Sequence, residues 1–417
     1  MELDQALTLI HQTSWQNQTP TLERMAILLE KLGNPHKSLQ FVHVAGTNGK
    51  GSTCACIASI LQAAGYCVGL NTSPYIHRFN ERIQVNGQEI SDDAVCKTVQ
   101  LLHPIVENLP FRPTEFEWIT ALALVHFQAQ QCDIVVLEVG LGGALDASNV
   151  IDCPAVAVIT ALGLDHTAIL GNTLAQVATA KAGIIKAGGT VVSYGGCPEG
   201  DVVIKTRCHD QGAILQVMDN SRLKPVESSL ISPKIELLPY GILSLGLAGA
   251  YQPYNALLAV TAVEALVKQG WHITLDHIRT GLASVRWMGR FEVLSNAPVV
   301  ILDGAHNPQG MAAVAQSVAL YLDGNPTVVL GVLEDKDVGR MLQMLADFAG
   351  QVFTVTPPSP RAMTAEHLAA KLADMGVKAT PCETVGGAMK RAIATEKPVL
   401  ALGSLYLCDQ VRQAMGK

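Results

Sequence analysis

The sequence predicts an α/β chain. A larger N-terminal part is built on a mainly parallel sheet with a small β region, and a smaller, doubly wound α/β unit follows it. Three observations carry this reading. Short runs that are apolar on both faces, such as Phe41–Ala45 and Ile134–Val139, alternate with longer stretches of helical spacing, as expected for parallel strands covered by helices on both sides. Several of these runs stop abruptly in loops of glycine and polar residues, where parallel sheets collect ligand groups. The composition, 49% hydrophobic, 16% charged and 5% aromatic, is the Ala/Val/Leu/Gly-rich habit of α/β proteins rather than of a disordered chain. At 417 residues the chain is too long for one ordinary core.

Taken in order, residues 4–33 hold apolar positions at helical spacing, among them Ala26, Leu28, Leu29 and Leu32, and predict helices leading into a first strand at Phe41–Ala45. An Ala-rich helix over 54–64 follows, then a strand over 66–71 that ends at Thr72-Ser73-Pro74. Residues 79–87 combine a short alternating strand with an Asn-Gly turn, which predicts a small hairpin. A helix over 114–128 opens with Glu115 and Glu117, and the strand over 134–139 after it is central and parallel. A β-rich run over 155–162 ends in Gly163-Leu164-Asp165-His166-Thr167, and a helix over 174–182 contains Lys181. Strands at 190–193 and 214–217 and less regular β structure over 219–247 precede a long helix over 251–267. From Pro298, strands at 299–302, 327–330, 352–355 and 399–402 alternate with helices, and Pro308 and Gly310 mark the entry into the first of these. The stretch Arg286–Arg290 between helix and strand places a domain boundary there, dividing the chain into 1–287 and 288–417.

A net charge of −7 provides no basic footprint for nucleic acid or for an anionic membrane surface, so any phosphate must be handled locally. No apolar run reaches membrane-spanning length, and the N-terminus has no basic stretch followed by a long apolar core. Ten cysteines without C-x-x-C spacing, most in apolar segments, read as thiols of a reducing compartment. The expectation is a cytoplasmic protein.

The stretch FVHVAGTNGKGST, residues 41–53, holds the densest chemistry. Gly46, Gly49 and Gly51 let the backbone turn tightly and bring N–H groups near an anion, and the following helix start adds a favourable dipole. Lys50 can place its ammonium on outer phosphates, and Ser52 or Thr53 a hydroxyl on Mg²⁺. The spacing departs from the usual phosphate-loop string, so a dinucleotide loop and a plain strand–helix turn stand as alternatives. Glu138 interrupts a buried strand and is followed by Gly140-Leu141-Gly142-Gly143; a carboxylate there must be paired or bind a metal. His166 follows another strand end and reads as a ligand or a surface residue, and Lys181 as a solvated helix charge unless a ligand needs it. In the second part, Asp303-Gly304-Ala305-His306-Asn307-Pro308 and the loops at 334–337, 357–361 and 403–404 form the ligand edge.

The strings VAGTNGKGST, TSPYIHRFNERIQVNG, EVGLGGALDASNV, LDHT, KAGIIK and DGAHNP, in this order and spacing, resemble the folylpolyglutamate synthase/dihydrofolate synthase family of the Mur ligase superfamily over nearly the whole chain. The resemblance implies an N-terminal P-loop-type ATPase domain and a C-terminal Rossmann-like glutamate-ligase domain. It also implies a reaction in which ATP converts a folate or dihydropteroate carboxylate into an acyl phosphate that L-glutamate attacks. By position, Thr47, Asn48, Gly49, Lys50, Gly51 and Ser52 would hold ATP, with Lys50 on the transferring group and Asn255, Arg290 and Asp303 on the nucleotide. Two Mg²⁺ are implied, one on Ser52, Ser73 and Glu138, the other on Glu138, His166 and a carbamylated Lys181. The acid substrate would lie near Arg82, Phe116, Glu117, Leu145, Asp146 and Ala147, and His306 is a candidate helper for the phosphate or the incoming amine. Family habit implies a monomer whose two domains close on each other about the Arg286–Arg290 linker.

Three positions depart from the family's pattern: Ala144 where it has Arg or Lys, Ala180 where it has Glu, and Tyr251 where it has His. They spare the implied metal ligands and the phosphate lysine, so ATP-dependent ligation is better supported than the exact acceptor. A Mur-type ligase with another acceptor, and a nucleotide-binding regulatory protein, are the competing readings.

Overall fold

A computed structural model describes residues 1–12, 21–224, 226 and 229–417. The chain forms two compact units, Met1–Asn220 with Asn255–Leu282, and Ser221–Tyr254 with Ala283–Lys417.

The first unit is organised on β1 (Phe41–Ala45), β2 (Val68–Asn71), β3 (Ile83–Val85), β4 (Gln88–Glu89), β5 (Ile134–Glu138), β6 (Val156–Ile159), β7 (Thr190–Ser193) and β8 (Ile214–Val217), in the order β4-β3-β2-β5-β1-β6-β7-β8. From β2 to β8 the pairing is parallel, and β3 and β4 add an antiparallel hairpin at one edge. Every residue of β1, β5 and β6 is buried, which is why these strands are apolar on both faces except at His43 and Glu138. The hairpin turns at Asn86 and Gly87, both at positive φ (49° and 74°), as a two-residue hairpin turn requires. Residues Phe79–Arg82, expected to extend that strand, instead form a single 3₁₀ turn, because Glu81 accepts hydrogen bonds from the backbone N–H of Ile76, His77 and Arg78 and curls the chain.

The helix after β1 is Lys50–Ala63, four residues longer at its start than the expected 54–64. Gly49, at φ +85°, makes the turn, so Lys50, Ser52 and Thr53 stand in the helix's first turn rather than in a loop before it. The helix Glu115–Ala129 is opened by a capping box, with Thr114 Oγ1 accepting from Glu117 N and Glu117 accepting from Thr114 N. The helix Leu174–Ala182 stands where expected and is capped in the same way by Thr173 and Gln176. The N-terminal helices are Leu3–His11 and Glu23–Lys31; part of the expected 4–33 stretch lies outside the described residues. The helices Asp92–Glu107 and Pro198–Asp210 were not read from the sequence.

The second unit holds β9 (Leu223–Lys224), β10 (Lys234–Leu237), β11 (Gly241–Ser244), β12 (Glu292–Asn296), β13 (Val299–Leu302), β14 (Thr327–Leu330), β15 (Val352–Thr354), β16 (Ala379–Pro381) and β17 (Val399–Leu402). The first three make an antiparallel sheet in the order β11-β10-β9. The others make a six-stranded sheet, β12-β13-β17-β14-β15-β16, parallel except for β12 at its edge. The division at Leu282/Ala283 is near the expected 287/288, but 221–254, which the sequence placed in the first part, groups with the second unit. The contacts explain this: Ala250 N donates to Ser317 Oγ, and Ala248 packs in the core of Phe291, Met311 and Val314.

The helix Lys50–Ala63 is held from behind by the helix Leu275–Ser284. Ser59 Oγ donates to Gly281 O at 2.7 Å, and a methyl group at Gly281 would lie 2.5 Å from the Ile60 Cα. Backbone cannot yield as a flexible side chain does, so Gly281→Ala is expected to destabilise the first unit by about 1–3 kcal/mol, measured by urea denaturation.

Candidate functional site

The loop between β1 and the helix Lys50–Ala63 is anchored on the end of β6. Thr47 N and Asn48 N both donate to Ala161 O (3.0 and 3.2 Å), Thr47 Oγ1 donates to Gly163 O (2.8 Å), and Thr160 Oγ1 donates to Asn48 O (2.7 Å). Glycine is required twice: a Cβ at Gly46 would lie 1.7 Å from Thr160 Oγ1, and one at Gly49 2.5 Å from Asn255 Oδ1. The structure thus brings the expected Asn255 onto the loop. The amides of Thr47 and Asn48 are spent on Ala161, so the cradle for an anion begins at Gly49 and continues into the helix start, where the first N–H groups have no intrahelical partner.

Two lysines converge here. Lys50 Nζ donates to Gly46 O and Thr47 O (3.2 and 3.3 Å), and Lys181 Nζ reaches across from its own helix to the same Gly46 O at 2.7 Å. Lys181 is buried, not a solvated helix charge. Burial first, then the Lys50 charge, pull its ammonium down to about 7, against the opposing charges of Asp165 and Asp146. Asp165 is a contributor the sequence did not single out; its only signal was its place beside His166 at a strand end.

Glu138 ends β5, buried, and Ser73 N donates to its Oε2 at 2.9 Å, so these two expected ligands meet. Ser52 is buried in the first turn of its helix. His166 adopts φ 49° in the loop after β6, with an exposed ring whose Nε2 lies 4.0 Å from Asp165 Oδ1. Among the described residues no group of three or more His, Cys, Asp and Glu could hold a metal ion. The expected set contains only two of those types, Glu138 and His166, and otherwise relies on serine hydroxyls and Lys181. Hydroxyl and carboxylate oxygens suit Mg²⁺; an ammonium does not, so Lys181 fits that set only as a carbamate.

The loop Gly140–Gly143 packs tightly on its surroundings. A Cβ at Gly140 would enter the Phe116 ring at 2.6 Å, and one at Gly143 would lie 2.8 Å from Ala180 O. Ala144 N donates to Ala180 O at 2.8 Å. Two of the three positions read as departures, Ala144 and Ala180, therefore touch through their backbones. Of the residues expected around the acid substrate, Asp146 and Ala147 are buried and Leu145 is exposed. Arg82 is buried with its guanidinium 5.0 Å from the Tyr75 ring centroid. The Glu117 carboxylate accepts from Thr114 N (2.7 Å) and pairs with Arg24 (3.0 Å), which accounts for its burial.

In the second unit, Asp303 follows β13 directly, buried, and its carboxylate accepts from Tyr251 Oη (2.6 Å), Phe291 N (2.8 Å) and Ala305 N (2.7 Å). Phe291 is held at φ 51°, costly for an aromatic residue, and Asp303 is what fixes its N–H. Arg290 beside it lies over Gly304, where a Cβ would meet its Nη1 at 2.5 Å. His306 Nδ1 lies 2.8 Å from Gly304 O; a carbonyl only accepts, so Nδ1 carries the proton. The third departure, Tyr251, thus supplies a neutral donor to a buried carboxylate.

Burial raises the Asp303 pKa against the lowering contributions of Tyr251, Arg290 and two backbone donors. The folded state then binds this proton more readily than the unfolded chain, so this group makes stability fall as pH rises past the ordinary carboxylate range. Tyr251→Phe removes a donor and raises that pKa further. The variant is expected to lose about 1–3 kcal/mol at pH 8 and less at pH 4, checked by urea denaturation at the two pH values.

Residues 44–263 match the Mur ligase middle domain, and 289–405 the Mur ligase glutamate ligase domain. A dihydrofolate synthase/folylpolyglutamate synthase of Bacillus subtilis is 38% identical over 95% of both chains. The structure of Mycobacterium tuberculosis folylpolyglutamate synthase complexed with ADP superposes with a TM-score of 0.91 at 30% identity, covering 100% of this chain and 98% of that one. A folylpolyglutamate synthase–AMPPCP–folate complex matches with a TM-score of 0.87 at 32% identity over 100% of both chains. With buried lysine, glycine-bound loop and helix start in place, the chain belongs to the folylpolyglutamate synthase/dihydrofolate synthase family of Mur ligases.

Proposed function

We propose that this protein is an ATP-dependent ligase that activates the carboxylate of a folate or dihydropteroate as an acyl phosphate and joins it to L-glutamate. The observation that carries the reading is Lys50, whose ammonium is held on Gly46 O and Thr47 O at the start of the helix Lys50–Ala63, where the first N–H groups without an intrahelical partner and the positive end of the helix suit a triphosphate. In the first step a carboxylate oxygen attacks the γ-phosphorus and ADP leaves. In the second the glutamate amine attacks the acyl carbon, loses a proton and expels phosphate.

Lys50 follows the transferring phosphoryl group, and the N–H groups from Gly49 onward hold the oxygens beside it. Mg²⁺ would be held by Ser52, Ser73 and Glu138, and a second ion by Glu138, His166 and carbamylated Lys181. Bound there, such ions neutralise the charge that develops during transfer. The burial that brings the Lys181 amine down to about 7 supports carbamylation, since only the neutral amine adds to carbon dioxide. Asn255, Arg290 and Asp303 are assigned to the nucleotide, His306 to the phosphate or the incoming amine, and Arg82, Phe116, Glu117, Leu145, Asp146 and Ala147 to the acid. Glu117 supports that region through Thr114 and Arg24.

We place the protein in the cytoplasm: its ten cysteines are all free, and among the described residues no helix is long and apolar enough to cross a membrane. A monomer is the family habit.

The deciding assay follows ADP release with ATP, Mg²⁺, L-glutamate and, in turn, dihydropteroate, tetrahydrofolate and methylenetetrahydrofolate. Release that requires both an acid of this class and L-glutamate is expected. Its absence with every acid sinks the reading, and nucleotide binding without turnover favours a regulatory protein. Lys181→Ala is expected to lower turnover about a hundredfold without rescue by added bicarbonate; near-normal turnover defeats the carbamate assignment.

A further inference from the structure

β1 contains one residue that folding alone does not explain. His43 is wholly buried between Val42 and Val44, in a strand whose other residues are apolar. An imidazole at such a position costs free energy that a valine would not, unless its polar atoms are used. One of them is used. His43 Nε2 lies 2.9 Å from Ser148 Oγ, and Ser148 Oγ in turn hydrogen-bonds Asp146 Oδ1. The Asp146 carboxylate also accepts from Ser148 N at 3.0 Å and from Leu141 N at 2.8 Å.

The proton positions follow by elimination. A serine hydroxyl has one proton, and an ionised carboxylate can only accept, so Ser148 donates to Asp146. Ser148 Oγ must then accept from His43, which puts the imidazole proton on Nε2. His43 Nδ1 has no hydrogen-bond partner among the described residues and is the bare lone pair. The imidazole is therefore neutral. A proton on Nδ1 would be a buried, unsatisfied donor, and burial and the Lys186 charge push the His43 pKa down to about 3.

The chain of hydrogen bonds joins two functional segments. β1 leads directly into the phosphate loop, and Asp146 closes the Gly140–Leu145 loop after β5, whose Leu137 lies opposite His43 in the sheet. We propose that His43 and Ser148 are positioning residues for the Asp146 carboxylate, setting the acid-binding loop in register with the strand that feeds the phosphate loop. The inference rests on the reading above that the acid substrate lies at Phe116 and Asp146. On that reading, one strand fixes both where the phosphoryl group is held and where the carboxylate that receives it is presented.

Steady-state kinetics on the full-length protein test this, with ATP, L-glutamate and the accepted acid varied in turn. Asp146→Asn tests the underlying reading: a raised KM for the acid supports it, and an unchanged one overturns both it and the inference. His43→Leu fills the space without a donor and Ser148→Ala breaks the chain at its centre. Each is expected to raise the KM for the acid about tenfold while leaving the KM for ATP unchanged. His43→Gln, whose amide nitrogen sits where Nε2 sits, should restore the KM toward that of the unsubstituted protein. If Asp146→Asn raises the acid KM while Ser148→Ala and His43→Leu do not, or if they raise the ATP KM equally, the positioning role is wrong. Ser148→Ala and His43→Gln keep the test decisive if His43→Leu fails to fold.

Discussion

Two ammonium groups donating to a single carbonyl oxygen, Gly46 O, are the constraint around which the first unit is arranged. Like charges in a buried space repel, and the positive end of the helix Lys50–Ala63 adds to the same potential. Anionic groups nearby, Asp165 and Asp146, offset part of it without pairing directly with Lys181. Lys50 and the helix start favour an anion there, and the burial that draws the Lys181 amine down to about 7 fits the carbamylation proposed above. That burial comes from bringing Lys181 to a loop 135 residues away in sequence.

The surrounding packing is what makes that arrangement rigid. Four glycines of the loops after β1 and β5 are not flexible spacers: Gly46, Gly49, Gly140 and Gly143 lie against Thr160, Asn255, Phe116 and the backbone at Ala180, which leave no room for a Cβ. The polar side chains around them are committed to named partners, as Thr47 is to Gly163 and Asp146 to Leu141 and Ser148. In the second unit the Tyr251–Asp303 hydrogen bond plays a similar part, holding Phe291 in a backbone conformation it would otherwise leave.

Much of the fold was legible because burial writes itself into residue type. Buried strands are mostly apolar, so 190–193, 299–302, 327–330 and 399–402 were read to the residue, as was the edge strand 214–217, whose Ile214 and Val217 are exposed. Capped helices such as Leu174–Ala182 were equally plain. Phe79–Arg82 misled because its alternation resembles a strand, while the hydrogen bonds that curl it come from a single side chain, Glu81. The partners of Glu117 were hidden in another way: its carboxylate accepts from Thr114 N and pairs with Arg24, which is remote in sequence.

What the amino-acid order determined by itself was the set of strand ends, and with it the places where glycines, Lys50, Glu138, His166 and Asp303 must emerge, because period and apolarity follow directly from burial. Which groups share a proton or a carbonyl was decided only by the tertiary structure. Hydrogen bonds act over about 3 Å and ignore sequence separation, so no local pattern announces that Lys181 meets Gly46, that Ala144 meets Ala180, or that His43 reaches Asp146 through Ser148.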